Sequence, residues 1–158
     1  MPKINLNFKK GTFNDIYFPL LLDYSKRYEI YYGGAGSGKS VFIAQKLLIK
    51  AINKKRRILI IRKVGTTLKD SVFPLVIDML KKWKIYEYCK INLSTYTITL
   101  PNESVLLFRG LDDSEKIKSI TDITDIWCEE ATELNLDEFT QLDLRLRALV
   151  DDLQIWCS

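Results

Sequence analysis

The sequence predicts an α/β fold with a mainly parallel central sheet and helices on both faces. Three observations carry that expectation. Apolar runs of strand length alternate with amphipathic stretches almost throughout the chain, the pattern of strands joined by crossover helices. One run, "RRILIIRKV", has a continuous apolar centre, as a strand covered on both faces requires. A glycine-rich octet, "GGAGSGKS", falls between a strand-like and a helix-like segment.

In chain order, residues 1–27 are aromatic and mixed in character and are expected to form a lead-in that packs on a core spanning 28–158. "YEIYYGG" reads as a short strand ending in a glycine turn. "SVFIAQKLLIKAINK" follows as a helix with apolar Phe42, Ile43, Leu47, Leu48 and Ile52. After the strand "RRILIIRKV" comes a second amphipathic helix, "LKDSVFPLVIDMLKKWKIY", with Pro74 in its first turn. "KINLSTYTITLPNESVLLFRG" is rich in Thr, Ile and Tyr and has turn chemistry at "LPNES", which predicts a hairpin. "DDSEKIKSI" can make one or two helical turns with Asp112 or Asp113 as cap. "ITDIWCEE" is a central strand, "LDEFTQLDLRLRALV" a helix, and "LQIWCS" one more strand. That strand ends with the chain, so a piece of a longer protein is expected.

Composition narrows the function classes. At 158 residues the chain is large enough for one domain with a real core. With 47% hydrophobic and 28% charged residues it is not a disordered tail. A net charge of +4 suits a polyanionic partner without being a nucleic-acid signature by itself. There is no histidine, and Cys89, Cys128 and Cys157 are far apart. A zinc site and a histidine base are therefore not expected; buried, inert thiols in a reducing compartment are. No apolar run approaches the roughly 18 residues that span a bilayer, and the start has no apolar signal core. No membrane partner is expected, and the protein is placed inside a cell.

The octet Gly33, Gly34, Ala35, Gly36, Ser37, Gly38, Lys39 and Ser40 matches G-x-x-x-x-G-K-[ST]. Glycines let successive backbone N–H groups turn inward toward phosphate oxygens. The following helix adds the positive end of its dipole. Lys39 then bridges the β- and γ-phosphates of ATP, and the Ser40 hydroxyl is a ligand for Mg²⁺. The bland alternative, a glycine turn that happens to end in Gly-Lys-Ser, requires the motif and both flanks to coincide by chance.

In "IWCEEATEL" two glutamates follow an apolar strand directly. Beside a phosphate cradle they divide the work. Glu129 holds the magnesium through its water shell, and Glu130 orients and deprotonates the attacking water. The competing reading makes them the cap and first-turn acids of the next helix. The first position is usually Asp, so the longer Glu129 is a departure. Asp125, the other nearby acid, sits at the opposite end of the strand. Cradle and acid pair together predict a P-loop NTPase sandwich of the additional-strand, catalytic-glutamate type.

The segments "YYGGAGSGKS", "ILIIRKV", "LKDSVF", "LLFRGLDDSEKIKSI", "WCEEATEL" and "FTQLDLRLR", in this order, resemble the large terminase subunit of tailed bacteriophages, in the branch typified by defective prophages. The resemblance runs from about Tyr28 onward. It implies an ATP-driven motor that moves double-stranded DNA into a capsid through a portal protein, as a homo-oligomeric ring with a small terminase subunit, in the cytoplasm of the bacterial host. It also implies that the chain is a truncated ATPase core, lacking a C-terminal nuclease domain and an asparagine-containing coupling motif just past Ser158. Many terminases carry an arginine in the loop where this chain has Ala35, so transition-state charge must come from elsewhere. Arg109 and Lys118 are the candidates for acting in a neighbouring subunit's site, followed by Arg145 and Arg147; a helix-face salt bridge is the alternative for each.

Other basic and aromatic residues have plain readings. "KKRR" at 54–57 and "KKWK" at 81–84 read as solvated helix ends that could touch DNA phosphates. Arg62 either faces the nucleotide or caps the sheet. Trp83 and Trp127 read as packing residues rather than base-stacking platforms, and Tyr31 and Tyr32 as strand packing close to the cradle. Two functional alternatives to the motor stand beside it: a nucleotide-binding fragment without turnover, and a small-molecule kinase on the same cradle. The kinase needs an arginine-rich lid, and the acid pair points to water as acceptor.

Overall fold

In the run Ile58–Ile61 the two-residue period of a strand sends Ile58 and Ile60 into one core and Leu59 and Ile61 into another. This alternation organises the molecule. The computed structural model describes residues 6–9, 11–113, 117 and 119–158. Its seven-stranded sheet comprises β1 (Tyr28–Ile30), β2 (Arg57–Arg62), β3 (Lys90–Asn92), β4 (Thr97–Thr99), β5 (Val105–Gly110), β6 (Asp125–Cys128) and β7 (Gln154–Cys157). The order is β1-β7-β6-β2-β5-β4-β3. The first five strands in that order pair in parallel, and β4 and β3 add antiparallel. Strand β7 intervenes between β1, which feeds the glycine loop, and β6, which leads to the acids. This is the additional strand the sequence predicts.

One face of the sheet is covered by α1 (Lys39–Asn53) and α3 (Val72–Lys82), which bury Phe42, Leu47, Val76 and Leu80 against Ile58, Ile60, Phe108, Trp127 and Trp156. The opposite face carries α4 (Leu136–Asp143), whose Leu142 packs with Leu59, Ile126 and Ile155. A short α2 (Gly65–Leu68) leads from β2 into α3. No helix among the described residues is long and apolar enough to cross a membrane. Part of the lead-in lies on the α1 side: Leu21 is buried, and Phe8 meets Phe13 and Trp83 edge-on with ring centroids 4.9 Å apart.

Three local expectations change, and a fourth falls partly outside the described residues. The predicted hairpin is one half of a three-stranded meander. Beyond the β4–β5 turn, a second turn joins β3 to β4, where Asn92 Oδ1 accepts from the Ser94 and Thr95 N–H groups. The side chain does the work of the turn, so three-residue β3 carries no periodic signal of its own. The helix expected through Val150 stops at Asp143, because beyond it only Leu146 turns inward while Leu144 and Leu149 are exposed. Of the "DDSEKIKSI" turns, a single 3-10 turn, Leu111–Asp113, is described, and residues 114–116 and 118 lie outside the described residues. Finally, Arg56 in "KKRR" is buried, not solvated, and pairs with Asp152.

That pairing belongs to a larger cluster beneath α1. Lys50 donates to Asp125 Oδ1 at 2.5 Å, to the Asp152 carbonyl at 2.6 Å and to Gln154 Oε1 at 2.9 Å. Lys46 grips both Glu29 oxygens at 2.8 and 2.7 Å. Gln154 joins the two pairs by donating to Glu29 at 3.0 Å. Buried charges persist only when paired and hydrogen-bonded, and here they tie α1 to β1, β6 and β7.

Candidate active site

A parallel sheet exposes the carboxyl ends of its strands along one edge, and the chain's two motifs emerge there side by side. The ends are laced together by backbone bonds. Tyr31 N–H donates to the Cys157 carbonyl at 2.8 Å, Ser158 N–H to the Cys128 carbonyl at 3.1 Å, and Ala131 N–H to the Ser158 carbonyl at 2.8 Å. The loop after β1 is thereby held level with the acids after β6.

The loop itself closes onto the start of α1. Gly38, the helix cap, has φ +81°, and Gly36 has φ +76°, conformations that L side chains seldom adopt. The first turn of α1 leaves the N–H groups of Lys39, Ser40 and Val41 without intrahelical acceptors, and there is no acid in that turn. Lys39 lies back over the loop, its ammonium bonded to the Gly33 carbonyl at 2.6 Å, the Gly34 carbonyl at 3.2 Å and Ser37 Oγ at 3.1 Å.

The loop faces a cavity of about 760 Å³ lined by residues 30–33, 35–41, 130–132, 157 and 158. Glu130 therefore lines the same cavity as Lys39 and Ser40. It holds φ +52°, a left-handed backbone uncommon for a residue with a side chain; such strain concentrates at functional sites.

Glu129 is placed differently. It is 7% exposed, and its Oε2 lies 3.4 Å from the Arg62 guanidinium and 3.4 Å from Ser71 Oγ. Its carboxyl is pushed up by burial and by the charge of Glu130, with Arg62 opposing the shift. Glu129 is not among the residues lining the loop cavity. Sequence reasoning left Arg62 undecided and missed Ser71. The signal that could have found Arg62 is register: Ile61 pairs with Cys128, so the next residue on each strand, Arg62 and Glu129, emerges at one level.

Arg109, Arg145 and Arg147 are not among the residues that line this cavity. The Arg109 guanidinium bonds the carbonyls of Thr95, at 2.6 Å, and Phe108, at 2.8 Å, around the β3–β4 turn. Arg145 and Arg147 line a separate recess of about 370 Å³ with Thr121 and Asp122. Lys118 lies outside the described residues. Lys82, Trp83 and Lys84 line a groove of about 940 Å³ between the lead-in and α3, and Trp127 is buried core. Tyr31 and Tyr32 do line the loop cavity; Tyr31 donates to Glu29 and packs edge-on against Phe42, whereas Tyr32 is 93% exposed.

A glycine loop closing on a Lys-Ser helix start, with tandem acids one strand removed, defines a P-loop NTPase with an added strand. The family model described as phage terminase large subunit matches residues 25–158. The chain belongs to the phage terminase large-subunit family. It is 32% identical over 156 residues to the PBSX phage terminase large subunit of Bacillus subtilis (strain 168), a match covering 99% of this chain and 34% of that protein. The crystal structure of the HK97 bacteriophage large terminase superposes with a TM-score of 0.75 at 15% identity, over 98% of this chain and 34% of that one. The large terminase of a thermophilic bacteriophage, in complex with ATP-gamma-S, gives 0.71 at 18% identity, over 92% and 37%. The chain thus spans about a third of the length of these relatives.

Proposed function

We propose that this chain is the ATP-hydrolysing unit of a phage DNA-packaging motor. The observation that carries the reading is that Lys39, Ser40 and Glu130 share one cavity in a member of the terminase family. In this reading the Gly33–Ser40 loop receives the triphosphate, with backbone N–H groups and Lys39 on its oxygens. Lys39 exchanges neutral loop oxygens for phosphate oxygens when it does so. Glu130 orients a water and takes its proton as the oxygen attacks the γ-phosphorus. The bond from phosphorus to the bridging oxygen breaks, and ADP and phosphate leave.

Ser40 and Glu129 are the residues that would hold Mg²⁺. The donor set fits: it consists of oxygens alone, and magnesium takes one or two protein ligands and fills its shell with phosphate and water. When bound, the ion would supply positive charge to the triphosphate. Glu129, which does not line the cavity, would reach the ion only through water, and Arg62 beside it favours its ionised form.

With Ala35 in the loop, the further positive charge comes in this reading from Arg109 or Lys118 of a neighbouring subunit in a ring. Arg109 does not line its own subunit's cavity, and this reading gives it a part in a neighbour's site. The partners are then double-stranded DNA, a portal protein and a small terminase subunit, in the cytoplasm of the bacterial host. The net charge of +4 suits DNA as cargo.

The test is ATP turnover per subunit measured against protein concentration, with Glu130→Ala alongside. Turnover that climbs with concentration and vanishes in the variant is expected. Flat turnover abolished by the variant would confine the site to one subunit. ATP binding without turnover at any concentration would overturn the hydrolase assignment for this chain.

A further inference from the structure

We propose that Tyr17 is a positioning residue for the phosphate loop: its hydroxyl holds the Ser37 carbonyl outward, so that the Gly38 N–H of the same peptide faces the bound phosphates. The inference rests on the nucleotide-binding reading above and adds to it a residue that lies outside the cradle motif.

Tyr17 Oη donates to the Ser37 carbonyl at 3.3 Å. Tyr17 is not among the residues that line the loop cavity, whereas Ser37 and Gly38 are. The hydroxyl therefore meets the loop from outside the cavity lining. In a planar trans peptide the C=O and the following N–H point in opposite directions. A carbonyl drawn away from the cavity turns the Gly38 N–H toward it. At Gly38 the backbone is left-handed, and a Cβ built there would be 3.8 Å from Asn14 Nδ2 and 3.9 Å from Tyr17 Cε2. These two lead-in side chains are the contacts nearest that point.

The tyrosine is itself well held. Its ring stacks on Phe42 of α1, with centroids 4.7 Å apart and planes at 14°, and meets Tyr31 edge-on at 6.1 Å. On one side of it Gln45 of α1 donates to the Thr12 carbonyl at 2.9 Å, and on the other Leu21 is sunk in the core. The lead-in is thus pinned to the helix that the loop begins, and Tyr17 spans from the one to the other. Tyr31 extends the arrangement to β1, because its hydroxyl donates to Glu29, which Lys46 of α1 also grips. Strand, helix and lead-in close around the loop from three sides.

The role separates from packing because phenylalanine keeps the ring on Phe42 and loses only the hydrogen bond. The experiment titrates the wild-type chain and Tyr17→Phe with ATPγS and, separately, with inorganic tripolyphosphate, which has no base or sugar. We expect about five-fold weaker binding of both probes, the scale of one hydrogen bond, with the thermal midpoint unchanged. Steady-state turnover should show a raised KM for ATP and an unchanged kcat, as for lost uniform binding. Wild-type affinity of Tyr17→Phe for both probes would overturn the inference. Weakened ATPγS with unchanged tripolyphosphate would also overturn it, by making Tyr17 a contact to the nucleoside. If the wild-type chain itself bound neither probe, the nucleotide reading would fail, and this inference with it.

Discussion

Helix α1 carries lysines at both ends, and the two ends treat them in opposite ways. At its start, Lys39 is bonded to neutral loop oxygens, the carbonyls of Gly33 and Gly34 and the Ser37 hydroxyl. Deeper along the helix, Lys46 and Lys50 are buried and bonded to carboxylates, Glu29 and Asp125. An ammonium on neutral acceptors can move to an arriving anion at small cost. One locked into a buried ion pair cannot, because leaving would strand a carboxylate in low dielectric. One helix therefore combines a charge that can be reassigned with charges that hold its own position against the sheet.

The comparison can be broken first at its buried end. Asp125→Ala leaves Lys50 and Arg56 without a carboxylate they share. It should destabilise the fold by about 3–5 kcal/mol, the usual cost of removing one partner of a buried pair, read by chemical denaturation. A loss below about 1 kcal/mol would mean that water and the remaining acid, Asp152, compensate.

Lys39→Ala probes the other end. Its stability should stay within about 0.5 kcal/mol of wild type, as for surface changes away from structural features. Nucleotide binding should weaken by about 1.5–3 kcal/mol, the range of a hydrogen bond to a charged group, in a calorimetric titration. A lysine at this site that mattered to stability and not to binding would reverse the comparison.

The start of α4 offers a milder contrast, a charge placed at the surface. Asn135 caps the helix by accepting from Glu138 N–H at 2.9 Å, and Glu138 returns the bond to Asn135 N–H. Asn135→Ala should cost about 1 kcal/mol, seen as a lowered thermal midpoint with nucleotide binding intact.

The smallest effect is a pH dependence. The Glu138 carboxyl is held below its ordinary 4.5 by the Lys63 hydrogen bond and then by the Asn135 N–H. The folded state then binds this proton less readily than the unfolded one. The stabilisation is fully present above 4.5 and fades as pH falls through the lower folded value. Glu138→Gln should lose stability at neutral pH and differ little from wild type in strong acid. A difference that stayed constant across that range would assign the effect to the capping bond instead of the charge.

These contrasts also mark what could be read in the sequence. The cradle and the acid pair were legible because each is a short local pattern with a geometric reason for its spacing. The parallel sheet was legible from apolar runs such as that ending in Ile61. The buried cluster was not. Lysines inside an amphipathic helix read as solvent-facing, and the partners that reverse this for Lys46, Lys50 and Arg56 stand 17, 75 and 96 residues away along the chain. Arg56 reads as solvated because "KKRR" is a run of charge at a helix end. The meander strand β3 escaped because three residues cannot display a period, and Tyr17 because its carbonyl partner in the loop is a backbone atom that no side-chain pattern announces. The division between Glu130 in the cavity and Glu129 against Arg62 needed the register of β2 and β6.

The most direct measurement takes Glu130→Gln and follows ATP binding and phosphate release in the same preparation with magnesium present. Nucleotide affinity should stay close to wild type and phosphate release should be lost, because the cradle is untouched and the group that accepts the water's proton is gone. Phosphate release at the wild-type rate would contradict this and move the catalytic base away from the acid that shares the cavity with the loop.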